Sequence, residues 1–170
     1  MSVEQIETRR LTGSRIGPDD FERLRSLYQD ADVAATLGGL RGDTWVAERF
    51  AFELAHWETH GFGAWMFVDG GSGEFVGRGA LRHARILDGD RIELGYALVA
   101  PSWGSGLATE MAGAMARVAR DELRLRELAA WTLRTNRGSQ RVLEKTGFTY
   151  EREFEHAGEP HRLYRLVFPR

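Results

Sequence analysis

The chain has 170 residues, a formal net charge of −2 and no cysteine. At that length one domain over residues 1–170 is expected, large enough to bury a core without disulfide or metal staples. The balanced charge gives no field for nucleic acid or a membrane surface, and the lack of cysteine excludes a disulfide scaffold, a thiolate metal site and a cysteine acyl-enzyme. Lys145 is the only lysine, so nearly all positive charge is arginine. Guanidinium forks suit phosphate, although the same skew follows from the compositional bias visible in abundant alanine and glycine. Met1–Arg10 is polar, and no apolar run approaches the ~18 residues that span a bilayer. A soluble, cytoplasmic protein is expected, acting as a monomer or homodimer, with no nucleic acid, membrane or metal partner.

In chain order, Leu11–Ile16 has weak strand character. Gly17-Pro18 opens a helix whose first turn carries Asp19 and Asp20, and Phe21, Leu24, Leu27 and Tyr28 repeat at helical spacing. The glycine-rich stretch Leu37–Gly42 breaks that pattern; Asp43–His60 resumes it, with Val46, Phe50, Leu54 and Trp57 on one stripe. Period-two runs follow. Phe62–Val68 and Phe75–Ala84 flank the turn Gly70-Gly71-Ser72-Gly73, and Asp88-Gly89-Asp90 marks the next turn before the strand Arg91–Val99. Pro101 ends that strand. A helix from Ser105 to Leu123, a short buried strand Leu128–Leu133 and a helix Asn136–Thr146 come next, then strands Phe148–Phe154 and Arg162–Phe168. The order predicts an α+β domain with a mixed, mostly antiparallel, twisted sheet of about seven strands, flanked on both faces by about four helices. The strand–helix–strand unit Arg91–Leu133 predicts one parallel pair.

The segment Trp103-Gly104-Ser105-Gly106-Leu107-Ala108-Thr109 joins a strand to a helix. Glycine lets the backbone approach a ligand, and the unpaired N–H groups of a helix start favour an anion, so the segment reads as a pyrophosphate cradle. An ordinary strand-to-helix turn is the alternative. A dinucleotide-binding loop fits less well, because position 109 is Thr rather than a third glycine and antiparallel hairpins precede it. The lysine of a Walker loop is also missing.

The neighbouring residues decide between these. Ile92-Glu-Leu-Gly-Tyr-Ala-Leu-Val, with Pro101-Ser-Trp-Gly-Ser-Gly-Leu-Ala-Thr-Glu110, closely resembles the acetyl-CoA-binding motif of the GNAT superfamily of N-acetyltransferases. The branch it resembles includes the ribosomal-protein-alanine N-acetyltransferases (RimJ/RimL-like). Trp103 stands where Gln or Arg is commonest in the family, a usual variant in this branch. Asn136-x-x-Ser139 and Leu143-Glu-Lys-Thr-Gly147-Phe148 resemble the family's last helix and the strand after it. The resemblance implies the acyl-CoA N-acyltransferase fold, acetyl-CoA as donor, and direct transfer of acetyl to an amine-bearing acceptor, either a peptide N-terminus or a small molecule.

The chemistry requires loss of a proton from an ammonium, a donor for the oxyanion, and a proton for the thiolate. Glu93 lies where some family members carry a catalytic glutamate and is the candidate base, acting directly or through water; a carboxylate paired with an arginine is the alternative. Ala97, Leu98 and Val99 resemble the strand segment that opens away from its neighbour and pairs with the pantetheine amides, with an N–H near Leu98 for the oxyanion. Many members place a tyrosine acid where this chain has Leu143. Ser139 is the nearest substitute for orienting or protonating the thiolate; a plain helix serine is its alternative. Asn136 is expected to cap that helix and contact the cofactor. With the tyrosine missing, a non-catalytic acetyl-CoA-binding sensor or scaffold stays open beside the enzyme.

Other features read as structural. His56 and His60 do not follow the His-Glu-x-x-His pattern and are expected to be solvated at a helix end. Trp65 and Trp131 are expected in the core and Trp45 and Trp57 in helix packing, while Arg78, Arg82 and Arg85 are expected on a solvated strand face. The loop Ala34–Gly42 is expected to overhang the acceptor site.

Overall fold

The computed structural model describes residues 3–87 and 89–169. Strands β1 (Gln5–Glu7) and β2 (Leu11–Arg15) precede helices α1 (Phe21–Gln29), α2 (Ala31–Thr36) and α3 (Asp43–His60). Strands β3 (Ala64–Asp69), β4 (Phe75–Ile86) and β5 (Gly89–Leu98) follow, then α4 (Leu107–Asp121), β6 (Glu127–Leu133), α5 (Arg137–Lys145), β7 (Thr149–His156) and β8 (Glu159–Val167). All eight strands join one sheet in the order β1-β2-β3-β4-β5-β6-β8-β7. Among the described residues only β5 and β6 run parallel, as the strand–helix–strand unit requires.

Some boundaries differ from the pattern reading. β1 is three residues long, too short for a period to show, and is held to β2 through Gln5↔Ser14 to Glu7↔Thr12. Ala34–Thr36, expected in a loop, end a short helix that Asp30 caps by accepting the Val33 N–H at 3.0 Å. Gly38 and Gly39, at φ 87° and 118°, then turn the chain toward α3. Pro18–Asp20 form a 3₁₀ turn leading into α1. Gly89 and Asp90 belong to β5, and Asp88 of the expected turn lies outside the described residues.

Register sorts the side chains of β4 and β5 between two faces. Arg78, Ala80 and Arg82 pair with Ala97, Gly95 and Glu93 and share the face that α3 reaches. Gly79, paired with Tyr96, faces α4 so closely that a β-carbon there would lie 2.6 Å from Met115 Sδ. A larger residue would push α4 off the sheet. Helices therefore cover both faces, and Trp65, Phe67, Leu81, Leu94, Met111 and Met115 are buried in the core. Trp57 of α3 anchors its helix to β3 by donating from Nε1 to the Ala64 carbonyl at 2.7 Å. No helix among the described residues is long and apolar enough to cross a membrane.

His56 departs from its expected solvated position: it is buried. Its Nδ1 lies 2.8 Å from the Phe62 carbonyl and so carries the proton, while Nε2 accepts the His83 backbone N–H at 3.0 Å. Both ring nitrogens thus fasten the end of α3 to the sheet. Burial lowers the imidazole pKa below its ordinary value, with the Phe62 hydrogen bond opposing. The folded protein holds this ring neutral while the unfolded chain takes up a proton as pH falls through about 6.5, so stability is lost toward acid. The melting temperature should therefore fall between about pH 7.5 and 5.5, and less steeply in His56→Gln, in thermal melts across that range.

Candidate active site

Among the described residues, strands β5 and β6 are joined by one registered pair, Glu93↔Ala129. Beyond it β5 continues along β4 as far as Leu98↔Gly77, and β6 continues along β8 as far as Leu133↔His161. The two strands splay and open a cleft of about 920 Å³. Val99 donates its N–H to Val76 across β4, so the alternation of an antiparallel ladder turns the Leu98 N–H toward the open side. Trp103 closes the far end by donating from Nε1 to the Leu98 carbonyl at 2.9 Å. Ala97, on the opposite face, packs with Leu27 and Val33, and Val99 is half-buried against them.

The turn after Trp103 leads into α4. Gly104 and Gly106 have φ of 74° and 82°, left-handed values that other residues adopt at a cost. Gly106 is the N-cap and offers no side chain, and its carbonyl accepts only the Glu110 N–H. The N–H groups of Leu107, Ala108 and Thr109 therefore have no partner within the helix. Ser105 Oγ donates to the Ser102 carbonyl at 3.0 Å, tightening the turn.

A brace unforeseen from sequence holds this turn. Arg10 donates from Nη1 to the Ser105 carbonyl at 2.9 Å and from Nε to Glu110 Oε2 at 2.7 Å. Thr8 Oγ1 donates to Glu110 Oε1 at 2.7 Å. Burial would raise the Glu110 carboxyl pKa, but the hydrogen bonds from Thr8 and Arg10 outweigh it and keep the group ionised. The β1–β2 turn thus fixes the first turn of α4.

Glu93 is buried on the α3 face. Arg82 Nε lies 2.5 Å from Glu93 Oε2, and Arg82 Nη1 lies 3.3 Å from Oε1 of Glu53 on α3. Arg78 also donates to Glu53 Oε1, and Arg49 approaches it at 3.8 Å. Burial opposes the charge of Arg82, but the Glu93 and Glu53 carboxylates outweigh it and raise the guanidinium pKa. Arg78 and Arg82 are therefore not a solvated face; only Arg85 of that trio is exposed. Glu53 carried a readable signal, since Val46, Phe50, Glu53 and Trp57 share a helical stripe and a carboxylate in an apolar stripe calls for buried cations.

The helix α5 closes the other side. Asn136 caps it, accepting the Ser139 N–H at 3.0 Å, and donates from Nδ2 to the Thr36 carbonyl of α2 at 3.4 Å. Ser139 Oγ lies 2.8 Å from the Tyr96 hydroxyl, a partner on β5 that sequence reasoning missed. Burial raises the Tyr96 pKa well above its ordinary value, with the Ser139 hydrogen bond opposing, so the phenol stays protonated. Leu143 is buried in the core. Trp131, expected in the core, is only half-buried and lines the cleft, and Thr36, Leu37, Gly38 and Arg41 of the α2–α3 segment overhang it.

An open sheet split beside a glycine turn at a helix start, with Glu93 on one wall and Ser139 on the other, defines an acyl-transfer fold. Residues 10–149 match the family model described as an acetyltransferase (GNAT) domain, and the chain belongs to that family. It is an N-acetyltransferase, and acetyl transfer in this family depends on acetyl-CoA. An acetyltransferase structure from Agrobacterium tumefaciens C58 aligns with a TM-score of 0.86 at 28% identity, covering 99% of this chain and 96% of that one. The FsC-acetyl coenzyme A-N(2)-transacetylase of Aspergillus fumigatus is 35% identical over 161 residues, covering 88% of this chain and 66% of that protein. The ribosomal L7/L12 alpha-N-protein acetyltransferase RimL, solved with coenzyme A, shares the fold with a TM-score of 0.78 at 15% identity, covering 96% of this chain and 98% of that one.

Removing the charge of Glu53 leaves Arg78 and Arg82 without their shared buried partner. Glu53→Gln should destabilise the fold by about 3–5 kcal/mol, measurable by chemical denaturation.

Proposed function

We propose that the protein acetylates a primary amine by direct transfer within a ternary complex, with acetyl-CoA entering the splay between β5 and β6 and the amine approaching Glu93 from the α3 side. The observation that carries this reading is the single rung Glu93↔Ala129, above which β5 leaves its outward amides free beside the Gly104–Gly106 turn. The donor groups fit: the N–H groups of Leu107, Ala108 and Thr109 suit a pyrophosphate, with Trp103, Gly104, Ser105 and Gly106 shaping the approach. Leu98 turns its N–H to the open side for the thioester end of the donor, whereas the Val99 N–H and carbonyl are engaged by Val76 and Ser102 and alternation turns the Ala97 amide toward β4. Arg137 and Arg141 of α5 line the same cleft and suit the remaining phosphate.

Glu93, positioned by Arg82, orients the acceptor ammonium and takes its proton directly or through water. The Leu98 N–H stabilises the oxyanion. Tyr96 donates to the Ser139 carbonyl at 3.2 Å and lies 2.8 Å from Ser139 Oγ, and this hydroxyl pair supplies the proton for the departing thiolate, while Asn136 fixes the helix that carries Ser139. The names of the Aspergillus relative and of RimL describe transfer to an N(2) position and to a protein α-amine. The acceptor proposed here is an amine of that kind, on a protein N-terminus or a small molecule.

Free-thiol release from acetyl-CoA tests the reaction. Glu93→Gln should lower kcat about 10²-fold near neutral pH and recover in part at high pH, where the acceptor deprotonates without help; an unchanged pH profile removes Glu93 from proton transfer. Gly106→Val places a β-branched residue at φ 82° and should weaken coenzyme A binding by roughly tenfold or more in calorimetry, with the circular dichroism spectrum retained.

A further inference from the structure

The acceptor side of the cleft holds more positive than negative charge. Arg49, Arg78 and Arg82 gather around two carboxylates, Glu53 and Glu93, and leave one guanidinium charge unbalanced. Arg49 is the group without a close partner. Its nearest carboxylate oxygen is 3.8 Å away, on a Glu53 already engaged by Arg78 and Arg82. Its guanidinium is held over the Trp45 ring at 5.1 Å and the Phe52 ring at 5.5 Å, which leaves its N–H fork unused. Burial lowers the Arg49 pKa, reinforced by the adjacent Arg82 and Arg78 cations. Arg78, only 3% exposed, has a buried Nε with no hydrogen-bond partner. Arg49, Arg78 and Arg82 all line the cleft that Glu93 lines, and Arg41 adds a further cation over Trp45 at 5.0 Å.

A half-desolvated guanidinium fork beside a second cation is the arrangement that binds a carboxylate with two parallel N–H···O bonds. It also repels a polycation. We infer that the acceptor is a small amine bearing a carboxylate, whose acid group seats on Arg49 and Arg78 while its amine reaches Glu93. This rests on the reading of the Glu93 wall as the acceptor side. Polyamines and aminoglycosides are excluded by the same charge balance.

Two measurements test it. In calorimetry with coenzyme A present, N-acetylalanine, the product form of such an acceptor, should bind at least about tenfold more tightly than N-acetylalanine amide. Arg49→Met should bring the two affinities within about twofold. If that variant fails to fold by its melting transition, Arg49→Lys, which keeps the charge and lacks the fork, should narrow the same ratio. Equal affinities, no binding of the acid, or a ratio unchanged by either variant overturns the inference. In thiol release, alanine and acidic amino acids should be turned over faster than their amides, an acidic N-terminal peptide or spermidine. Turnover of spermidine or of the peptide in preference overturns the inference and leaves acetyl transfer standing. Selective binding of N-acetylalanine with no amine consumed upholds the carboxylate site and overturns the transfer reading.

Discussion

One backbone pairing governs the molecule. Among the described residues Glu93 opposite Ala129 is the only registered contact between β5 and β6, and a sheet that paired the next residues as well would have no cleft. The opening survives because each half has its own support: β5 stays on β4, β6 stays on β8, and α4 spans from one to the other. The amides left over must find partners or a ligand, since unpaired backbone is costly when it is withdrawn from water. Trp103 takes the Leu98 carbonyl, and Gln140 takes the carbonyls of Leu133 and Arg134 at 3.3 and 2.9 Å. What remains open lies between those two closures.

The rung also joins the two chemical walls. Glu93 stands at the fork of the strands and is tied through Arg82 to Glu53 on α3, so this wall of the cleft is anchored in a buried ionic network rather than on a loop. On the other face Tyr96, three residues along β5, reaches Ser139 on α5. Alternation along a single strand thus sends the carboxylate to one side and the phenol to the other. The α2 helix completes the enclosure, because its last carbonyl receives Asn136 across the cleft.

The architecture was readable from pattern where elements are long. The helix Asp43–His60 coincides with α3, and the strand–helix–strand unit is the parallel crossover. The loop Trp103–Thr109 stood out because its glycines sit between a strand and a helix, and both adopt left-handed φ. Short elements escaped: β1 has three residues and α2 six, which is less than two helical turns. Partnerships distant in sequence escaped as well. Arg78 and Arg82 read as solvated because alternation shows that they share a face without showing that Glu53 arrives there. His56 read as solvated because its two partners, the Phe62 carbonyl and the His83 N–H, are backbone groups that no residue pattern records.

By itself the sequence determined the order of elements, the glycine turn and the residue types available for the chemistry, since these depend on periodicity and local conformational preference within a few residues. The tertiary structure alone decided where β5 and β6 part, that Arg10 braces the turn from 95 residues away, that Tyr96 meets Ser139, and that Arg49, Arg78 and Arg82 gather on the Glu93 wall. Each of those depends on which segments pack together and on how much water is excluded between them, quantities that arise only when distant parts of the chain meet.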